Sequence, residues 1–378
     1  MDSPKTRPGV RRLVRRHLMK LVGYTPILPA EVLVEEAPAP GQEAGAAEPV
    51  KLDGNENPYG PSPRVLKAIA QRSLYHEYPD PDQRYLRAAL AEYVGLGPEH
   101  IVVGNGSDEI LDLVVRLLLE PGEKAINCVP TFGMYRFVTE VCGGMEVEVG
   151  RNQDYDLDID AIEEAMDEST KIVFVASPNN PTGNAVSQEE IVRLLETGLA
   201  VVVDEAYFEF CGQTVAPLIS RYDNLMVVRT FSKWAGLAGI RIGYGIFSPE
   251  VAAYIARIKP PYNVSVFAQT AAMESLKDRE FLMSRVQAII QERERLYDGL
   301  AGLDLLRPIP SRGNFILCEV VRGDARRLHQ RLTEHNIYVR YFDNPRLRSF
   351  IRITVGKPQH TDALMQALRR IGEELDGR

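Results

Sequence analysis

Short runs of β-branched and other apolar residues recur along the chain from residue 98 onward, and stretches with helical spacing separate them. The seven runs are IVV (101–103), AINC (125–128), MEVEV (145–149), IVFVA (172–176), AVVV (200–203), LMVV (225–228) and IGYGI (242–246). Strands that alternate with helices, such as the helix predicted over 107–119, are typical of a mainly parallel sheet covered on both faces. The pattern therefore predicts an α/β fold.

A different pattern precedes these runs. The segment GVRRLVRRHLMKLVG (9–23) places apolar residues at helical spacing opposite basic ones and predicts an amphipathic helix that stops at Gly23. Such a basic helix is compatible with a targeting peptide or a membrane-surface anchor. We favour an arm that packs its apolar stripe on the body of the protein or on a partner subunit, because neither an h-region nor a small-residue cleavage site is present. The following EVLVEEAPAPGQEAGAAEP (31–49) predicts a surface linker.

Composition limits the class of protein. A chain of 378 residues with 45% hydrophobic residues is long enough to bury a large core in more than one domain. We expect an arm and linker over 1–50, a large domain over 51–265 and a smaller domain over 266–378. No apolar run reaches the roughly 20 residues that span a bilayer. A net charge of -8 argues against general affinity for nucleic acid.

The cysteines suggest neither a disulfide framework nor a metal site. Their spacing fits no metal-ligand or redox pair, and they are few for so long a chain, at Cys128, Cys142, Cys211 and Cys318. We therefore expect no metal, a reducing compartment and a cytoplasmic protein.

Polar motifs follow four of the predicted strands directly. GNGSDE (104–109) follows the first, SPNNPTG (177–183) the fourth, DEAYFEF (204–210) the fifth and RTFSK (229–233) the sixth. Ligands of open α/β sheets bind beyond the carboxyl ends of the strands, where loops lead into helices. The four motifs are therefore predicted to form one site.

Each motif offers a group with a specific chemistry, although each also has an ordinary structural reading. In GNGSDE, Gly106, Ser107 and Asp108 open a helix whose N-terminus suits a phosphate, and the same residues form an ordinary helix entry. Asp204 follows an apolar strand and needs a cationic partner to stay ionised there. Asn180 and Tyr207 are able to bond a ring hydroxyl, while Asn-Pro is also common in turns.

Lys233 completes the set. A lysine in a partly dry pocket loses its proton more readily, and a neutral amine forms a Schiff base with an aldehyde. Thr230, Ser232 and Arg241 add donors for a phosphate. Together these groups match what pyridoxal 5'-phosphate requires, and the conjunction is more informative than any one residue.

With these motifs the chain resembles the fold-type I pyridoxal-phosphate aminotransferases, and among them the histidinol-phosphate group. The resemblance extends from about Tyr24 to the C-terminus. It rests on the stretches above and on KLDGNENPYGPSP (51–63), YPDPD (78–82), PTFGMY (130–135) and RITVG (352–356). It implies a three-layer large domain with a mainly parallel seven-stranded sheet, a smaller α+β C-terminal domain, and transfer of an amino group to 2-oxoglutarate in histidine biosynthesis.

The resemblance also implies roles for residues. Lys233 forms the Schiff base and moves the proton, Asp204 pairs with the pyridine nitrogen, and Asn180 and Tyr207 bind the ring oxygen. Phe132 stacks on the ring. The phosphate is bound at Gly106, Ser107 and Asp108 with Thr230, Ser232 and Arg241.

The substrate side is implied in the same way. Arg352 binds the carboxylate of an amino acid partner, and Arg340 supplies a second guanidinium for a substrate phosphate. Tyr24, Tyr78 and Tyr262 line the phosphate pocket, the latter two from the neighbouring subunit of a homodimer, and Tyr78 also borders the cofactor. The remaining substrate contacts are Asn57 of the NENP motif and Asn314.

Three functions stay open from the sequence. The first is a histidinol-phosphate aminotransferase. The second is an aromatic amino acid (phenylalanine or tyrosine) aminotransferase, or a threonine-phosphate decarboxylase, on the same scaffold, because the 31–49 linker departs from the family's usual approach to NENP. The third is a binding or regulatory protein without turnover, against which Lys233 and Asp204 speak.

Overall fold

The computed structural model describes residues 13–24, 26–29, 32 and 49–375. In chain order its strands are β1 (Val50–Leu52), β2 (Ile101–Gly104), β3 (Lys124–Val129), β4 (Met145–Gly150), β5 (Thr170–Ala176), β6 (Ala200–Asp204), β7 (Leu225–Thr230), β8 (Gly243–Ile246), β9 (Leu306–Pro308), β10 (Phe315–Val320), β11 (Ile337–Tyr341) and β12 (Phe350–Thr354).

The helices surround two sheets. In chain order they are α1 (Pro63–Gln71), α2 (Arg84–Val94), α3 (Ser107–Leu118), α4 (Met134–Cys142), α5 (Ile159–Glu164), α6 (Gln188–Leu195), α7 (Phe208–Cys211), α8 (Pro249–Ile258), α9 (Val266–Lys277), α10 (Arg279–Ala301), α11 (Ala325–Glu334) and α12 (Pro358–Leu375).

The larger sheet contains seven strands among the described residues, in the order β2-β8-β7-β6-β5-β3-β4. Each predicted apolar run forms one of these strands, and β8 alone runs antiparallel to its neighbours. Along β6, Val201 and Val203 pack into one core while Val202 packs into another on the opposite face. Because alternate side chains point to opposite faces, both faces are buried and the sheet is the middle of three layers.

Within the described part of the chain, the smaller sheet contains five strands in the order β1-β11-β12-β10-β9. β11, β12, β10 and β9 pair antiparallel, whereas β1 pairs in parallel with β11. Residues 50–52 therefore belong to a sheet whose other strands lie beyond residue 305. The predicted division had assigned residues 51 and 52 to the large domain, so its first boundary falls inside a strand of the smaller sheet. The boundary at 265 stays a prediction.

The amphipathic helix predicted from residue 9 is wrong over the residues that the structure describes. A short 3-10 helix spans Arg16–Lys20, and the chain is extended from Leu21. Leu13 and Val22 of the apolar stripe are 84% and 81% exposed. The 3-10 helix is fixed instead by polar contacts to the C-terminal end of α4, where the Arg15 guanidinium donates to the Cys142 carbonyl (3.3 Å).

No helix in the described part of the chain is long and apolar enough to cross a bilayer. Residues 1–12 and 33–48, which contain the start of the predicted arm and most of the predicted linker, lie outside the described residues.

Candidate active site

The polar motifs meet at one edge of the larger sheet. β2, β5, β6 and β7 run in the same direction, and they end at Gly104, Ala176, Asp204 and Thr230. The predicted site residues of GNGSDE, SPNNPTG, DEAYFEF and RTFSK follow these ends directly. The carboxyl edge of the sheet thus gathers groups that are more than 100 residues apart in sequence.

Asp204 is a buried acid that has no cationic partner among the described residues. Its residue is 6% exposed, and it forms no ion pair with the described residues. The hydroxyl of Tyr135 donates to its Oδ2 (2.8 Å) and the Ala206 N–H donates to its Oδ1 (3.0 Å). Burial raises the pKa of Asp204 to about 6, against these two hydrogen bonds. A buried cation would therefore stabilise the ionised carboxylate, in agreement with the cationic partner that the sequence predicted for Asp204.

Lys233 lies close to the same edge as a partly desolvated amine. Its Nζ donates to the Gly54 carbonyl (3.1 Å) and lies 5.9 Å from the centre of the Tyr207 ring. Burial and, to a smaller extent, the positive charge of Arg352 together lower the pKa of Lys233 to about 8. A substantial fraction of the side chain is then neutral near pH 8, which makes it a usable nucleophile and base.

The start of α3 forms an anion cradle. α1, α6 and α8 begin at serines whose side chains accept a hydrogen bond from the first turn, whereas α3 begins at Gly106 without such a cap. Gly106 has a φ of 82°, a conformation that residues with a Cβ rarely adopt, and the Arg241 Nη2 lies 2.5 Å from where a Cβ would stand. Uncapped N–H groups at the positive end of a helix dipole bind phosphate well.

Three further groups reach this cradle. The Thr230 hydroxyl donates to Ser232 Oγ (2.9 Å), and Arg241 forms an ion pair with Asp108 (2.9 Å). Arg241 has a φ of 58°, a left-handed conformation that is uncommon for a residue with a Cβ. A Cβ on Gly243 would come within 2.5 Å of the Ser107 nitrogen, so β8 also approaches the helix start closely.

A hydrogen-bonded chain links Tyr207 to both sheets. Asn55 Nδ2 donates to the Tyr207 hydroxyl oxygen (2.9 Å), and the Asn55 backbone N–H donates to Thr354 Oγ1 of β12 (2.9 Å). Burial raises the pKa of Tyr207 to about 12, while Arg352 and the Asn55 bond oppose the rise. Asn55 was not among the residues singled out in the sequence, although it lies in the quoted NENP stretch. Asn55 has a positive φ of 51°, a backbone conformation that the sequence did not reveal.

Arg352 connects the small sheet to the SPNNPTG loop. Its Nη1 donates to Asn180 Oδ1 (2.6 Å), and its residue is 6% exposed. Burial lowers its pKa. Arg340 of β11 lies directly opposite Arg352 in the antiparallel register, so the two side chains share one face of the sheet.

Asn57 and Asn314 lie beside this network. Asn57 Nδ2 donates to the Trp234 carbonyl (3.0 Å) and its Oδ1 accepts from the Tyr59 N–H (3.0 Å), so both amide atoms already bind the chain. The structure therefore uses Asn57 to fix the backbone next to Lys233. Asn314 Nδ2 donates to the Asn55 carbonyl (3.0 Å), whereas its buried Oδ1 has no hydrogen-bond partner among the described residues.

The predicted aromatic residues form two groups. Phe132 makes T-shaped contacts with the rings of Tyr24 (6.1 Å between centroids) and Tyr135 (5.8 Å), and the Tyr135 hydroxyl donates to Asp204. Tyr78 and Tyr262 stack on each other at 4.5 Å between centroids and are 81% and 46% exposed. In a single chain the stacked Tyr78 and Tyr262 rings therefore lie on the protein surface.

The arrangement fits pyridoxal 5'-phosphate. An uncapped helix start with hydroxyl and guanidinium donors suits the phosphate, a buried acid lacking a cation suits the ring nitrogen, and a partly neutral lysine suits the aldehyde. The residues that would hold it are Gly106, Ser107, Asp108, Phe132, Asn180, Asp204, Tyr207, Thr230, Ser232, Lys233 and Arg241. In the described part of the chain, no three His, Cys, Asp or Glu side chains are grouped as a metal site.

Comparison with known proteins gives the family. The sequence profile described as "Aminotransferase class I and II" matches residues 47–370. The chain therefore belongs to this family. A histidinol-phosphate aminotransferase of Dehalococcoides mccartyi (strain CBDB1) is 48% identical over 324 residues, which cover 86% of this chain and 90% of that protein.

Two more distant comparisons agree with this assignment. The chloroplastic histidinol-phosphate aminotransferase 1 of Arabidopsis thaliana is 44% identical over 360 residues, which cover 94% of this chain and 85% of the plant protein. A crystal structure of histidinol-phosphate aminotransferase from Sinorhizobium meliloti in complex with pyridoxal-5'-phosphate superposes with a TM-score of 0.85 at 28% identity, covering 96% and 98% of the two chains. The predicted fold class, the aminotransferase activity and pyridoxal 5'-phosphate as its cofactor are thereby confirmed, as is the resemblance to the histidinol-phosphate group.

Proposed function

We propose that this aminotransferase transfers the amino group of histidinol phosphate to 2-oxoglutarate, a step of histidine biosynthesis. The observation that carries the proposal is the direct opposition of Arg340 and Arg352 on β11 and β12. The register places two guanidinium groups on one face of the smaller sheet, where they provide a local concentration of positive charge. A phosphate dianion and the two carboxylates of 2-oxoglutarate are ligands that pair with two guanidinium groups.

The two alternative functions differ in whether the substrate carries anions that both arginines could bind. The side chains of phenylalanine and tyrosine carry no anion at neutral pH, so an aromatic aminotransferase leaves the second guanidinium without a function on the amino donor. Threonine phosphate carries both a carboxylate and a phosphate and would satisfy both arginines. The arginine pair therefore disfavours the aromatic reaction, while the decarboxylase has to be separated by its product.

The chain's own residues divide the work of the reaction. Asp204 would hold the ring nitrogen as a cation, and Asn180 and Tyr207 would orient the ring oxygen. Lys233 Nζ would act as the amine that binds the aldehyde and as the base that takes the proton from the substrate Cα, which its lowered pKa favours. The bound cofactor supplies an electron sink for the charge left at that carbon.

A substrate panel tests the proposed specificity. The purified holoenzyme is given histidinol phosphate, phenylalanine or threonine phosphate, each with and without 2-oxoglutarate. We expect glutamate to form fastest with histidinol phosphate, and only when 2-oxoglutarate is present. Release of carbon dioxide from threonine phosphate without 2-oxoglutarate would identify a decarboxylase, and faster turnover of phenylalanine would identify the aromatic enzyme.

The second arginine has a matched test. Arg340→Gln removes the guanidinium opposite Arg352, and Arg307→Gln removes one from β9 of the same sheet, where it pairs with Glu319. We expect Arg340→Gln to raise the KM for histidinol phosphate by about tenfold to a hundredfold, the scale of a charge-assisted hydrogen bond. The control should leave this KM unchanged, and equal values in both variants would contradict the role of Arg340.

We also propose that the site is shared between two subunits of a homodimer. The exposed stack of Tyr78 and Tyr262 is the supporting observation, because large aromatic side chains are enriched at subunit interfaces. In this arrangement the two tyrosines would contribute to the partner's site, beside its cofactor and its substrate phosphate.

Subunit mixing tests the shared site. Lys233→Ala and Tyr262→Ala are each expected to be poorly active alone. If Tyr262 serves the partner's site, a mixed dimer has one site with both defects and one intact site. A 1:1 mixture that has exchanged subunits should then regain about a quarter of the wild-type activity. Activity equal to the average of the two parent proteins would show that each subunit supplies its own Tyr262.

Localisation in the cytoplasm stays a prediction. Imaging of a fluorescently tagged full-length chain in its own cells would test it, with the first 30 residues deleted as the comparison.

A further inference from the structure

We propose that Tyr135 is a positioning residue whose hydroxyl keeps the Asp204 carboxylate ionised and correctly oriented for the cofactor's ring nitrogen. The inference rests on the role proposed above for Asp204. Tyr135 lies in the first turn of α4 and belongs to the PTFGMY stretch, in which only Phe132 had been singled out.

The two oxygens of Asp204 each have one fixed donor. The Tyr135 hydroxyl donates to Oδ2 at 2.8 Å and the Ala206 backbone N–H donates to Oδ1 at 3.0 Å. Two donors on opposite oxygens prevent the carboxylate from rotating. Each oxygen keeps a lone pair with which to accept a further bond.

The Tyr135 ring is itself held from two sides. It stacks on Phe174 of β5 with 4.9 Å between centroids and 4° between planes, and it meets the Phe132 ring in a T-shaped contact with 5.8 Å between centroids. Tyr135 is 1% exposed. Since the ring has no room to move, the position of its hydroxyl is set by the packing of α4 on the sheet, and the hydroxyl in turn sets the position of Asp204.

The hydrogen bond also has a fixed direction. Burial raises the pKa of Tyr135 well above its ordinary value, so the phenol keeps its proton and acts as the donor. A donor stabilises the charged form of a carboxyl group, whereas burial of Asp204 destabilises it. Without the hydroxyl, Asp204 would therefore remain protonated up to a higher pH and would bind a pyridinium less well.

The test compares two tyrosines that donate to two buried carboxylates. Tyr135→Phe removes the donor to Asp204 and keeps the ring. Tyr93→Phe is the matched control, because the Tyr93 hydroxyl donates to Glu209 Oε1 (3.3 Å), outside the set of residues assigned to the cofactor. Asp204→Asn serves as the reference for loss of the carboxylate. The affinity of each apoprotein for pyridoxal 5'-phosphate is measured by absorbance titration from about pH 5 to pH 8, the range in which a carboxyl with a raised pKa titrates.

We expect Tyr135→Phe to weaken cofactor binding about tenfold near pH 6, the scale of one hydrogen bond to a charged group. The midpoint of its pH dependence should move up by about one unit, which corresponds to the same factor. Tyr93→Phe should change neither quantity. Thermal unfolding of the apoproteins, measured in parallel, reports any general loss of packing.

The outcomes separate this inference from the proposed function. If Asp204→Asn binds the cofactor as tightly as the wild type, the role proposed for Asp204 fails. If Asp204→Asn weakens binding but Tyr135→Phe keeps the wild-type affinity and midpoint, the inference about Tyr135 is overturned. A loss of affinity in Tyr135→Phe that is the same at every pH would also overturn it, because packing alone would then explain the effect.

Discussion

At the ends of β6 and β7, consecutive residues point to opposite faces of the central sheet. The polar side chains on the two faces have different kinds of partner. On the face of the candidate site, Asp204 accepts from the Tyr135 hydroxyl, Thr230 donates to Ser232, and Lys233 donates to the Gly54 carbonyl, and none of the three forms an ion pair with the described residues. On the other face, the next residue Glu205 and the preceding residue Arg229 form a buried ion pair (2.8 Å).

The partners on the second face come from within the chain. Glu205 also accepts from the Val215 N–H (2.7 Å) and the Thr214 hydroxyl (2.8 Å), and Arg229 lies 3.6 Å over the ring of Phe208. Buried charges are tolerated when such partners compensate for lost solvation. Burial of charge therefore does not distinguish a ligand-binding site from a core. The two differ in whether residues of the protein itself provide the ion-pair partner of the buried charge.

Removing the lysine gives the largest expected effect on the site face. Lys233→Ala should lower the rate of transamination by at least about a thousandfold, because it removes both nucleophile and base. The melting temperature of the apoprotein should not fall, since a buried amine with a lowered pKa is costly to keep. Lys171→Ala, which breaks an exposed pair with Glu123, is the control. Near-normal activity in Lys233→Ala would contradict the site.

Breaking the buried ion pair gives the largest expected effect on the other face. Arg229→Met leaves Glu205 buried and unpaired, which should lower the free energy of unfolding by about 3 to 5 kcal/mol in chemical denaturation. The double variant Glu205→Gln with Arg229→Met should recover part of this loss, because no isolated charge remains. A cost below about 1 kcal/mol for Arg229→Met would show that the pair is not essential to that face.

A pH effect of intermediate size is expected from Glu209. Burial raises its pKa to about 8, above the ordinary value of 4.5. The folded state therefore binds this proton more tightly than the unfolded state does. The resulting stabilisation of the folded state is complete below about pH 4.5 and is lost as the pH rises toward 8. Replacement by glutamine should flatten the fall in apoprotein stability across this window. An unchanged slope would mean that Glu209 ionises normally.

The smallest effect is expected at the surface of α4. Arg15→Ala removes an exposed hydrogen bond of 3.3 Å to the Cys142 carbonyl. The free energy of unfolding, measured by chemical denaturation, should fall by no more than about 0.5 kcal/mol, as for most surface substitutions. A larger loss would show that the N-terminal arm contributes to the core despite its exposed apolar residues.

The sequence was sufficient for the larger sheet because each of its strands is a local run of apolar residues. Buried strands such as β5 and β6 keep both faces apolar, so the signal does not depend on distant contacts. The Asp204, Lys233 and Arg241 positions could be predicted for a related reason, since the chemistry of the cofactor calls for particular residue types at the ends of particular strands.

The missed features all depend on contacts between distant residues. Asn55 reaches Thr354 across 299 positions, and Tyr135 reaches Asp204 across 69. Neither contact produces a periodic pattern. The amphipathic helix predicted from residue 9 was wrong over the described residues for the same reason: helical spacing was present, but Arg15 and His17 contact the end of α4, and a short 3-10 helix is followed by extended chain.

The parallel pairing of β1 with β11 has a consequence for dissecting the protein. A fragment that starts at residue 266 would lack β1, and β11 would become an edge strand with unsatisfied N–H and C=O groups. Such edges invite pairing with other chains and aggregation. Isolating the C-terminal unit in soluble form would therefore require residues 49–53 to be supplied as a separate peptide or joined through a new linker.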